Sequence, residues 1–211
     1  MGLQIDLHVH TSRYSPCSRL DPGRLISQAV KVGLDGVVIT EHHHQWSQEE
    51  LDTLVSRSDA PWFLLLSGFE YSSTKGDMLV YGLDPRHTAS FQPGWTPRRA
   101  LEHAQGLGAA CIAAHPTRRG FGFHEDLLSL PFSAIEVCSV NLELHEQRLA
   151  ARLAHDLGIP PIAASDAHVL RDLGRHSTEF LDPIRSHLEL HDALIHGRFR
   201  VVNHEYPKGS Q

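Results

Sequence analysis

Apolar positions fall into two rhythms along this chain. In residues 3–10, LQIDLHVH, Leu3, Ile5, Leu7 and Val9 alternate with Gln4, Asp6, His8 and His10, the period of a β-strand. Asp21-Pro22 then supplies an N-cap with proline at the first helical position. Leu25, Ile26, Ala29, Val30 and Val32 follow at helical spacing, and Gly33 stops the run. LDGVVIT (34–40) is a short apolar block of the kind a buried parallel strand needs. Ser47 with Glu50 forms a capping box for a helix reaching about Arg57. Strands are expected at 62–70 and 78–83, a helix from Thr96-Pro97 through Gly106, and strands at 109–115 and 133–137. The clearest helix spans 142–158 and ends on Gly158. A strand at 160–165, a short one at 177–181, a helix near 186–196 and a final strand at 200–203 complete the reading.

Strands and helices therefore alternate. That order predicts an α/β fold, with a mostly parallel sheet that is closed or nearly closed and covered by helices, in a single domain over residues 1–211. The chain of 211 residues is 41% hydrophobic and 21% charged, enough to bury a core. Its net charge of −6 argues against a long nucleic acid or an anionic membrane as partner, since both need a basic face. The longest apolar runs, near ITEHHHQ and WFLLLSGF, are too short to span a bilayer. Met1 to Asp6 leads straight into the first strand without a signal peptide, and three cysteines imply no disulfide framework. A cytoplasmic location is the expectation. Histidine changes the picture most, with 17 residues of the commonest metal ligand.

In such folds the chemistry sits at the carboxyl ends of the strands. The strand ends here carry His8 and His10, then Glu41-His42-His43, Glu70, His115-Pro116, Glu136 with Cys138, and Ser165-Asp166-Ala167-His168. Residues two apart on a strand point the same way, so His8 and His10 can hold one ion together, as can Asp166 and His168. Imidazole with carboxylate suits zinc, manganese or iron better than calcium or magnesium. Three divalent ions held by five neutral imidazoles and two carboxylates would carry a formal charge of about +4, which favours a strongly anionic group such as a phosphate ester.

The motifs IDLHVHT, VVITEHH, GFE, AAHPTR, IEV and ASDAH, in this order, resemble the PHP (polymerase and histidinol phosphatase) family of metal-dependent phosphoesterases over about residues 3–170, and GRFRVVN resembles the end of that family's domain. The resemblance implies a distorted (β/α)7 TIM-like barrel with two or three divalent ions at its carboxyl face. It implies hydrolysis of a small phosphorylated metabolite or nucleotide by a metal-bridged hydroxide. Carried over by position, His8, His10, Glu70 and Asp166 would hold the first ion, His42 with bridging Glu70 the second, and His115 with His168 the third. Glu70 and Asp166 would be the catalytic carboxylates, and Arg118 would hold the substrate phosphate, with Arg119 and Arg13 as weaker candidates. Two other readings stay open: amidohydrolase-type chemistry, and a non-catalytic metal-binding module.

The chain also departs from the family pattern. Ser15-Pro16-Cys17 replaces the usual acid or histidine after the first motif, and Asp77-Met78 stands where some members place a histidine. Cys17, Cys138, Glu136 and His145 are each candidates to complete the site. Asp6 shares the parity of His8 and His10 and is a candidate to orient one of them. Cys111 reads as a core residue. His43 and His44, and the helical histidines His103, His155, His187, His191 and His196, read as lying outside the ligand set. Selectivity is expected in the loops 84–96 and 117–126.

Overall fold

The structure, a computed structural model, describes residues 2–123 and 130–202. Asn203 of the expected last strand and residues 124–126 of the second expected selectivity loop lie outside the described residues. The elements run β1 (Leu3–Val9), α1 (Pro22–Lys31), β2 (Gly36–His42), α2 (Gln48–Ser56), β3 (Leu64–Ser72), β4 (Asp77–Tyr81), α3 (Pro97–Gly106), β5 (Ala110–Ala114), β6 (Ala134–Cys138), α4 (Leu144–Leu157), β7 (Pro161–Ala163), β8 (Thr178–Phe180), α5 (His187–Ile195) and β9 (Phe199–Val201). The helices start where the sequence signals place them. Asp21 Oδ1 accepts the Gly23 N–H at 2.9 Å, and Ser47 and Glu50 satisfy each other's backbone N–H groups at 3.3 and 3.0 Å. Gly158, at φ 65°, ends α4.

The nine strands among the described residues join one sheet in the order β7-β6-β5-β4-β3-β2-β1-β8-β9. It curls into a nearly closed barrel, the distorted TIM-like architecture expected. The edges approach where Thr178 Oγ of β8 meets the Ala163 N–H and carbonyl of β7, at 3.1 and 2.8 Å. The His10 N–H also reaches the Ala167 carbonyl at 3.0 Å, tying the first strand to the segment after β7.

The sheet is less parallel than expected. The pairs β1–β2, β2–β3, β5–β6 and β6–β7 are parallel, whereas β3–β4, β4–β5, β1–β8 and β8–β9 are antiparallel. The cause at β4 is local. Only Ser73–Gly76 link it to β3, too few residues for a crossover helix, and Gly76 at φ 90° turns the chain back on itself. Asp77, the first residue of β4, consequently pairs with Ser72 near the end of β3 and with Ala114 at the end of β5.

Three apolar clusters hold the layers together. Ile5, Leu7, Val38, Leu66, Leu79 and Ile112 pack with Leu190 and Leu194 of α5. Val9, Val37, Ile39 and Leu65 pack under α1 and α2, and Val80, Cys111, Ile135 and Val137 under α3 and α4. Leu7 and Val9 thus belong to different clusters although they sit two apart. A register shift between Asp6 and Val9 breaks the alternation at His8. No helix among the described residues is long and apolar enough to cross a membrane.

Candidate metal centre

Strands β1, β2, β3 and β5, with the segment after β7, deliver their terminal side chains to one place. His8 and His10 are fully buried, and Glu70, Asp166 and His115 are almost so. His8 Nε2 and His10 Nε2 are 3.0 Å apart. From Glu70 Oε2 they lie 3.6 and 3.2 Å away, and each is 3.4 Å from Asp166 Oδ1. A tetrahedron of nitrogen and oxygen donors about 2.1 Å from a central ion has edges of about 3.4 Å. These five distances are therefore the size of a ligand cage, and the donor types suit a divalent ion.

Glu70 extends the cluster in two directions. Its Oε2 also lies 3.0 Å from His42 Nδ1, while its Oε1 lies 3.1 Å from His115 Nε2. Beside His8, His10 and Glu70, three further groups of donor atoms come within 4.8 Å of one another: His10 with His42 and His168, His8 with His115 and Asp166, and Glu70 with Asp77 and His115. The family-derived partition differs from these groupings. His168 stands with His10 and His42 rather than with His115, and His115 stands both with Glu70 and Asp77 and with His8 and Asp166. His42 and His168 are about a third exposed and form the open rim of the cluster.

The electrostatics follow from this packing. Burial alone would raise the Glu70 and Asp166 carboxyls, yet the imidazoles of His8, His10 and His115 hold both below the usual carboxylate range. Burial opposes charge on His115, but Glu70 overrides it and lifts the imidazole to about 9. His8 and His10 are raised in the same way, against burial, by Asp166 and Glu70. The cluster draws positive charge into itself, as a cation site does.

Hydrogen bonds fix these side chains from behind. Glu136 accepts from His8 Nδ1 at 3.0 Å and from the His115 N–H at 2.7 Å, so it braces two donors and leaves His8 Nε2 facing the cage. Ser15 Oγ meets His10 Nδ1 at 3.3 Å and the His42 N–H at 3.2 Å. Asn141 Nδ2 donates to Asp166 Oδ2 at 2.8 Å and to its carbonyl at 2.9 Å, which leaves Oδ1 to the histidines. Only three non-glycine residues among those described have left-handed φ, namely His43 (53°), His115 (28°) and Asp166 (52°), and all three follow strand ends at this cluster. Strain of this kind gathers at functional sites.

The remaining sequence candidates separate cleanly. Asp6 touches no imidazole. Its carboxylate accepts from the Ser165 and Gly174 N–H groups at 2.9 and 3.0 Å and so ties the barrel's closing segments to β1; the register shift after it explains the difference. Cys138 donates to Gln147, and His145 is exposed beside Glu143, so neither joins the donor groups. Cys17 is exposed and lines the cavity without entering a donor group. The Arg118 guanidinium lies 4.0 Å from Asp166 Oδ2 and over the Phe121 ring at 4.8 Å. Arg119 is exposed, and its backbone N–H bonds Glu146. Arg13 packs over Tyr14 and Trp46 beside Glu50. A cavity of about 540 Å³ opens over the cluster, walled by Arg118, Phe121 and the Ser72–Asp77 turn.

Comparison with known proteins fits this picture. Residues 145–199 match the PHP-associated family model. A search of curated proteins found no match. Among solved structures, the chain is similar to a two-domain protein containing a predicted PHP-like metal-dependent phosphoesterase from Bacteroides vulgatus, at a TM-score of 0.74 and 21% identity over 97% of this chain and 66% of that one. It is similar to a lesion-specific endonuclease from Pyrococcus furiosus, at 0.69 and 16% over 95% of this chain and 58% of that one. It is also similar to an amidohydrolase from Chromobacterium violaceum with bound sulfate and no metal, at 0.65 and 18% over 93% and 97%. The chain spans less than two thirds of the length of the first two. The carboxy-terminal quarter of the chain thus matches a PHP-associated family model, and the barrel as a whole shares the fold of a PHP-like solved structure.

Proposed function

We propose that this protein is a metal-dependent hydrolase of phosphate esters that acts on a small phosphorylated substrate. One observation carries the reading: His8 Nε2 and His10 Nε2 stand at ligand-cage separations from Glu70 Oε2 and from Asp166 Oδ1, with Glu70 offering its second oxygen to His115. Paired divalent ions bound there would supply Lewis-acid polarisation of a phosphoryl oxygen and a more acidic water. Zinc, manganese and iron are the ions the donor types suit, two or three per chain.

The chain's own residues do the rest. Glu70 and Asp166 are the anions that concentrate positive charge at the floor of the cavity, and Glu136, Ser15 and Asn141 fix the orientation of their partners. Arg118 stands at the cavity wall within reach of Asp166, where a planar guanidinium can take two phosphate oxygens at once. Phe121 under that guanidinium restricts its motion. Counting Asp77 as a third carboxylate lowers the formal charge of a three-ion centre to about +3, which still favours a dianion over a neutral amide. The cavity holds a metabolite or nucleotide-sized ligand, and a net charge of −6 disfavours a long polyanion.

The test is phosphate release from an aryl phosphate and a nucleotide panel by metal-free protein reloaded with manganese or zinc, with a lactone and a cyclic amide assayed in parallel. Phosphate release that disappears in Glu70→Gln supports the reading. Lactone or amide hydrolysis without any phosphate release overturns it in favour of amidohydrolase chemistry. Full metal occupancy with neither activity favours a non-catalytic module.

A further inference from the structure

The donor groups on the two sides of Glu70 are chemically unlike. On one side His42 and His168 both stack against His10 with ring centroids at 4.5 Å, so this group offers three imidazoles. On the other side Glu70, Asp77 and His115 offer two carboxylates and one imidazole. His115 Nε2 is 3.1 Å from Glu70 Oε1 and 3.9 Å from Asp77 Oδ2. His115 is 3% exposed and its Nδ1 is buried without a hydrogen-bond partner, while Asp77 is 13% exposed. Two carboxylates converging on a buried imidazole beside a cavity form a donor set for a cation. Asp77 reaches it because β4 runs backwards and begins at the level where β3 and β5 end.

Donor chemistry sorts metals. Imidazole nitrogens suit zinc, and carboxylate oxygens with water suit manganese or magnesium. Zinc outbinds manganese at most nitrogen-containing sites, so a preference shows in the ratio between sites rather than in absolute affinity. We propose that the centre is heterometallic: the Glu70–Asp77–His115 group holds a hard, oxygen-seeking divalent ion against competition from zinc, and the His10–His42–His168 group takes zinc first. The proposal rests on the metal-centre reading above and adds Asp77 as its selectivity residue. An imidazole at position 77 would erase the distinction.

The experiment titrates zinc into metal-free full-length protein preloaded with excess manganese. Free manganese is followed by electron paramagnetic resonance, and bound metal by elemental analysis. In the unsubstituted protein a distinct fraction of bound manganese survives until zinc is well beyond the amount that fills the imidazole group. In Asp77→Asn that fraction is lost while zinc content holds, and in Asp77→His the same position fills with zinc and no late manganese release occurs. Retained zinc and an unchanged melting temperature show that a variant is folded, and Asp77→His carries the test where Asp77→Asn does not fold. Superimposable displacement curves for all three proteins overturn the proposal. Binding of zinc but no manganese by the unsubstituted protein also ends it, yet leaves the metal-centre reading standing. Binding of neither metal ends both.

Discussion

Glu41 and Glu70 are both buried carboxylates on neighbouring parallel strands, yet they live in opposite surroundings. Glu41 accepts from the Thr11 N–H at 3.0 Å, the Thr11 hydroxyl, the Ser15 hydroxyl at 2.5 Å and Trp46 Nε1 at 2.9 Å. Four neutral donors satisfy that buried carboxyl without a cation. Glu70 faces His8, His10, His42 and His115, basic nitrogens that gain by sharing a positive charge with it. Both carboxyl groups are buried, and what differs is their partners. A buried acid ringed by N–H and O–H donors holds the scaffold, and one ringed by imidazoles is, under the proposed function, a ligand for an ion. Ser15 joins the two environments, since its hydroxyl donates to Glu41 and also meets His10 and the His42 backbone.

The comparison breaks if the two acids respond alike to substitution. Glu70→Gln should show the largest effect, a loss of bound metal and at least about a 100-fold fall in hydrolysis, because even residues behind metal ligands cost 10- to 100-fold. Elemental analysis and initial rates check this. Glu41→Ala should instead destabilise the fold by about 3 kcal/mol through unpartnered buried donors. For a chain of this length that lowers Tm by about 6–12 °C. Metal content of the folded protein should stay unchanged, and equal metal loss in both variants would dissolve the distinction. Glu136→Gln, which leaves His8 and His115 less well braced, should fall between them, weakening metal binding about 10-fold or more with a small change in Tm. Metal removal by chelation should lower the Tm of the unsubstituted protein, since an ion at 100 times its Kd stabilises by about 2.7 kcal/mol, and should leave the Tm of Glu70→Gln unmoved.

The smallest effect lies away from the cluster. Burial would raise the Glu50 carboxyl, but the Tyr14 hydroxyl and the Ser47 donors hold it below its ordinary 4.5. A depressed folded-state value means that Glu50 stabilises the protein above pH 4.5 and loses this contribution as the pH falls below it. Ser47→Ala should cost about 1 kcal/mol at neutral pH, and Glu50→Gln should flatten the acid limb of the stability profile, both measurable by circular dichroism.

Much of the centre was legible because its donors stand at strand ends, where hydrophobic runs give way to histidines and acids. His8, His10, His42, Glu70, His115, Asp166 and His168 all come together on that signal. What stayed hidden depends on chain direction and local register. Asp77 opens a strand rather than ending one, and nothing in GDMLVYGL says that β4 runs antiparallel except the shortness of the link before it. Asn141 sits in the turn before α4, three residues ahead of the first helical residue, Leu144. Strict alternation placed Asp6 behind an imidazole of His8 or His10, whereas its carboxylate accepts backbone N–H groups of His8, Ser165 and Gly174 instead. The partition of donors among ions depends on distances of a few ångströms, which spacing in a sequence does not encode.

The left-handed backbone at His43, His115 and Asp166 has a consequence for anyone improving this molecule. Such conformations cost a side-chain-bearing residue about 1–2 kcal/mol each, and glycine adopts them freely. A screen that rewards heat tolerance alone should therefore enrich glycine at the exposed position 43, which spares the donors. At 115 and 166 the partners that the buried side chains would leave behind outweigh that relief, so there the strain endures because the packing around it demands it.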